Sequence, residues 1–112
     1  MASAISDVNN DARFRNGPES GQAFLRASTE LLAAGRSCSH GHRNGDADPR
    51  CAALFSAAAD ARATSVALLT CTAPDVFDTR AAWKRYLPAL SRYVNGGGAS
   101  SGAPRLPPVP SC

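Results

Sequence analysis

Along the middle of the chain, apolar positions recur with the roughly 3.6-residue period of an α-helix, not the two-residue period of a strand. Phe24, Ala27, Leu31 and Ala34 fall on one face, and Leu25 and Leu32 widen the stripe. Ser20 offers a capping oxygen and Gly35 a C-terminal stop, so a first helix is predicted over 20–36. A second run follows Asp48-Pro49 and meets no further Gly or Pro before Pro74. Asp48 supplies a cap acceptor, and Pro49 suits the first helical position, where its missing N–H costs nothing. A helix is predicted over 49–70. At about 100° per residue, Cys51, Leu54, Phe55, Ala58, Ser65, Val66 and Leu69 share one side, with Ala52, Ala59, Ala63 and Ala67 on the flank. A third helix is predicted over 75–94, with Thr72 and Asp75 as candidate caps. Its stripe is Val76, Trp83, Leu87, Leu90 and Val94, edged by Tyr86. Pro88 kinks or ends this helix, and Asn95-Gly96 closes it.

The pattern therefore predicts an all-α fold, a short three-helix bundle over 19–95. The connection between the second and third helices is short enough to make them antiparallel neighbours. Residues 1–18 are polar and end in Asn16-Gly17-Pro18, which reads as a flexible arm. Residues 96–112 form a Gly/Ser/Pro-rich tail with too little apolar surface to offset the entropy of ordering, so both ends are expected to be disordered.

Composition sharpens this picture. At 112 residues there is room for one small domain, and much of the 44% hydrophobic share is alanine. With 4 Phe, 1 Trp, 2 Tyr and 1 Met, large core side chains are few. A thin core makes a small domain marginal alone, which favours a partner: another protein or a second copy of the chain. The net charge of +3 is low for a dedicated nucleic-acid binder. Lys84 is the sole lysine, so the basic character is almost entirely arginine. No stretch reaches the roughly 20 apolar residues of a membrane span. The first sixteen residues carry Asp7 and Asp11 and lack the apolar segment of a secretory leader, so the expected location is cytoplasmic, with unsignalled organelle import left open.

One constellation carries metal-binding chemistry. Cys38, His40, His42 and Cys51 place both histidines and two of the four cysteines around one loop. Thiolate and imidazole are zinc's preferred ligands, and four close a tetrahedron. The spacing fits none of the usual zinc patterns, and a solvated loop with a buried Cys51 explains the residues as well. A Cys38–Cys51 disulfide is a third option; it would staple the loop and would require an oxidising compartment. Cys71 reads as a small apolar filler and Cys112 as an exposed thiol. Asn44-Gly45-Asp46-Ala47-Asp48 has its glycine misplaced for a calcium loop and lacks the closing glutamate; turn formation and capping account for it.

Arg62 is the anomaly, because the angles put it on the apolar side of the second helix. It can reach outward along that face, pair with a carboxylate such as Glu30, or mark an interface. The third helix interleaves Arg80, Lys84 and Arg85 with aromatics, but these charges lie on its two edges, as expected of a solvated amphipathic helix. The length of the second helix and the position of Pro88 argue against a helix-turn-helix reader. Phe77 lies off the apolar stripe by about 100° and waits for a cover. No phosphate loop, nucleophile–base pair or paired carboxylates appear, and no small-molecule substrate or cofactor is indicated. The expectation is a non-catalytic helical interaction module, a structural or accessory subunit contacting its partner through Arg62, Phe77, Arg80, Lys84 and Arg85. Its rival is a zinc-stabilised domain with a regulatory or weak nucleic-acid-binding role.

Overall fold

The computed structural model describes residues 5, 6, 8, 17–41, 48–71, 76–96 and 102–111. Among the described residues the long helices are α1 (Gly17–Gly41), α2 (Pro49–Thr70) and α3 (Val76–Asn95); Ile5, Ser6 and Val8 are helical as well, and there is no strand. The all-α, three-helix expectation holds.

The sequence placed α2 with its correct ends. Asp48 is the N-cap: its side chain accepts the Arg50 backbone N–H at 2.9 Å, which satisfies one of the free donors of the first turn. The same carboxylate holds the Arg50 guanidinium at 2.8 Å. That hydrogen bond is the main reason the Arg50 pKa lies above its ordinary value.

The first helix differs from its prediction at both ends. Ser20 is not a cap but a fully buried residue inside α1. Gly35 does not stop the helix, which runs on to Gly41. Gly35 is there because of its neighbour: a Cβ at this position would stand 3.1 Å from the Phe55 ring. At Gly21 a Cβ would fall 2.5 Å from Leu69 Cγ. The two glycines, with Ser28 midway between them, recur every seven residues and let α2 lie close against α1. The Ser28 hydroxyl donates to the Ala58 carbonyl at 3.0 Å, and the Ser65 hydroxyl donates to the Gly21 carbonyl at 2.7 Å, both buried. These pairs, together with Cys38–Cys51, run in opposite senses along the two helices, so α1 and α2 are antiparallel.

The face that α2 buries is rotated from the expected one. Ala57, Ala61, Thr64 and Leu68 join Cys51, Leu54, Ala58 and Ser65 inside, whereas Val66 and Leu69 stand in solvent. An alanine-rich helix has apolar atoms all round, so its own pattern sets its rotation weakly. The partners decide instead: Gly21, Ser28 and Gly35 on one side and α3 on the other.

Large side chains fill the contact with α3. Trp83, Leu87 and Leu90 are fully buried, and Trp83 packs edge-to-face on Phe24 of α1 at 5.4 Å and on Tyr86 at 5.2 Å. Tyr93, absent from the predicted stripe, is buried as well. The helix continues through Pro88 to Asn95, so this proline does not end it. The stop falls at Gly96, whose N–H reaches the Arg92 carbonyl at 2.8 Å. A Cβ on Gly96 would collide with that same oxygen. The candidate caps Thr72 and Asp75 lie outside the described residues.

Parts of both predicted tails reach the core. Val8 is fully buried within it and Ile5 packs against it. Residues 102–111 have no regular structure, yet Leu106 packs on the core and Pro107 is buried. By length and composition, α2 is the one described helix that could cross a membrane; 44% of its apolar window is buried inside the bundle.

Candidate interaction surface

The cysteine–histidine constellation resolves into a disulfide. Cys38 in the last turns of α1 and Cys51 in the first turn of α2 are bonded, with Cα atoms 5.5 Å apart. The added turns of α1 beyond Gly35 carry Cys38 to this position. A disulfide sulfur is not a thiolate, so in the oxidised chain two of the four zinc ligands are spent on each other. His40 is exposed at the end of α1, and His42 lies outside the described residues. Among the described residues, no group of three or more His, Cys, Asp or Glu side chains converges on a point. Cys71 is corrected too: it is half-buried and disulfide-bonded rather than a small apolar filler, with its partner outside the described residues.

The five expected contact residues do not form one surface. Arg62 is exposed, so it reaches outward rather than into the core. It sits on the side of α2 turned away from α3. Phe77 is 66% exposed in the first turn of α3, and Lys84, two turns on, shares its edge. Arg80 is half-buried between them. Arg85 lies on the opposite edge. With Ala82, Tyr86 and Ala89 it lines an open groove of about 320 Å³, walled on its far side by Pro104, Arg105 and Pro107. Burial and the charge of Asp60 push the Tyr86 hydroxyl up to about 12, so it stays protonated at neutral pH.

The surface that sequence reading missed lies along α1 and α2, opposite α3. Leu25 (42% exposed) and Leu32 belong to α1; Val66 (51% exposed) and Leu69 belong to α2. Periodicity had put all four into the core. Helical rotation and the seam contacts place them together: Leu69 touches Gly21, and the half-buried Phe55 lies on Gly35. From Leu25 the antiparallel register leads across to Arg62 and Val66, and from Leu32 to Phe55. The signal that could have found this strip was the seven-residue recurrence of Gly21, Ser28 and Gly35. It fixes which side of α1 meets α2, and so leaves Leu25 and Leu32 just beyond the seam.

The chain matches no protein-family model, no curated protein and no solved structure. What it does must be read from its own residues.

Proposed function

We propose that this chain is a non-catalytic helical interaction module, a structural or accessory subunit that docks on another protein or on a second copy of itself. One observation carries this reading: the apolar strip of Leu25, Leu32, Val66 and Leu69 on the side of α1 and α2 that α3 leaves open. Apolar side chains scattered singly over a surface need no explanation, but four large ones gathered on one side of two packed helices favour a contact there. Phe77 at the start of α3 is a further exposed apolar side chain, away from the strip.

The bonded cysteines bear on location. A cytoplasmic setting, the expectation from the N-terminal sequence, keeps thiols reduced, whereas Cys38, Cys51 and Cys71 are all oxidised. Stable disulfides favour an oxidising compartment as this module's place of work.

The test pairs the oxidised full chain with a Leu25→Ser/Val66→Ser double variant. Both positions are exposed, so circular dichroism and melting temperature should stay near wild type. Solution mass and affinity isolation from the source extract are then compared. A self-association or a retained protein that the double variant loses supports the module. Monomers with identical retained proteins for both chains would refute it.

A further inference from the structure

We propose that the strip between α1 and α2 receives an amphipathic helix whose apolar face is bordered by acidic residues. This rests on the interaction-module reading and names the partner's chemistry.

Shape comes first. Two antiparallel helices packed closely leave a shallow groove along their seam, the surface onto which a further helix packs by its own ridges. Here the groove runs from Leu32 and Phe55 at one end, past Leu25 and Val66, to Leu69 at the other. On α1 this spans about three helical turns at about 1.5 Å per residue. The apolar residues fall at helical spacings on both walls, seven apart on α1 (Leu25, Leu32) and eleven and three apart on α2 (Phe55, Val66, Leu69).

Charge selects the partner. Arg62 stands within the strip and Arg36 borders it on α1, both exposed. The carboxylates of these two helices lie elsewhere. At about 100° per residue Glu19 and Glu30 fall on the other flank of α1, and Asp60 falls on the part of α2 near Tyr86. The influence of Asp60 on the Tyr86 hydroxyl is consistent with that placement. The border is thus of one sign. A second copy docked through the same two-fold face would bring arginines toward arginines, while Asp48 at the start of α2 is already held by Arg50. A helix flanked by Glu or Asp pairs both guanidiniums while its apolar face covers the leucines and Val66. Arginine suits this role, since its planar fork meets carboxylates in two parallel hydrogen bonds.

The test uses the oxidised full chain and two fluorescein-labelled synthetic peptides of about 20 residues, long enough to form helix on docking. They share one leucine stripe; one carries Glu along its borders and the other Lys. Anisotropy should show the Glu peptide binding about tenfold or more tightly than the Lys peptide, with the gap narrowing as salt rises. Arg62→Glu should cost the Glu peptide about tenfold and favour the Lys peptide, while Arg62→Lys should retain most of the preference. Equal binding of the two peptides, or no binding of either, overturns the proposal. So does a dimer that Val66→Asp dissolves, which would give the face to a second copy. So does binding to anionic-lipid vesicles in place of the peptides, which would give it to a membrane. The interaction module itself falls only if the Leu25→Ser/Val66→Ser variant also changes nothing in solution mass or retained proteins.

Discussion

The two contacts that build this bundle are made differently. Between α1 and α2, small residues (Gly21, Ser28, Gly35, Ala58, Ser65) bring the backbones together, two buried hydroxyl–carbonyl bonds set the register, and a disulfide closes one end. Between this pair and α3 the contact is made by volume: Trp83 wedged against Phe24, with Tyr86, Leu87 and Leu90 behind it. The first contact is specified by atoms that must meet at fixed points. The second is specified by space that must be filled, which many arrangements of large side chains achieve. Stability should therefore divide along this line, with the α1–α2 pair holding its register when the docking of α3 is weakened.

The sharpest way to break the comparison is Trp83→Ala. Removing a fully buried indole leaves a cavity between α3 and the helix pair, at an expected cost of about 3–5 kcal/mol. If the contacts are separable, hydrogen exchange should lose protection mainly across α3, while amides along Ala23–Leu31 and Leu54–Leu68 keep more of theirs. Uniform loss across all three helices would show one indivisible core.

Next in size is the disulfide. Cys38 and Cys51 are 13 residues apart, and opening a loop of that length should cost about 3 kcal/mol. A Cys38→Ser/Cys51→Ser variant should melt lower by that amount. Its Ser28 and Ser65 hydrogen bonds should still hold the helices in register, so helix content at low temperature should remain near wild type. Peptide mapping of the untreated chain under non-reducing conditions should return the Cys38–Cys51 link and a second linked pair containing Cys71.

What the sequence made legible follows the same division. The cap at Asp48-Pro49, the Trp83, Leu87 and Leu90 stripe of α3 and the stop at Gly96 are local signals legible from neighbouring residues, although the stripe left out Tyr93. The rotation of α2 was not, because Ala52, Ala57, Ala59, Ala61, Ala63 and Ala67 look alike to a periodicity argument, and only the partner helices distinguish them. Gly35 misled for a related reason: a glycine that ends a helix and one that admits a neighbour's ring are the same letter. The error passed to the surface, since the rotation that hid Val66 and Leu69 on paper exposes them in the fold and moves the candidate site from the edges of α3 to the α1–α2 groove. Arg62 then loses its strangeness, as an exposed cation outside the core. Cys38–Cys51 was legible as one of three options; choosing it needed the extra helical turns that bring Cys38 opposite Cys51.

The smallest expected effect separates the two contacts by pH. The α1–α2 seam is made of Gly, Ala and Ser, none of which titrates in alkali, whereas the docking of α3 contains Tyr86. Burial, helped by the charge of Asp60, raises the folded Tyr86 pKa to about 12, while an unfolded tyrosine titrates near pH 10. Between these values the unfolded chain releases this proton and the folded chain keeps it. The group therefore contributes its full stability below about pH 10 and loses it as the pH rises through 12. Melting temperature should fall across that window, and Tyr86→Phe, which keeps the ring and removes the ionisation, should flatten the fall. If the seam stands apart as described, alkali should also raise hydrogen exchange in α3 before it does so around Ser28 and Ser65. A fall in melting temperature that Tyr86→Phe leaves unchanged would trace the alkaline sensitivity to other groups, thiol–disulfide exchange at the bonded cysteines among them, and would remove Tyr86 from the account of how α3 is held.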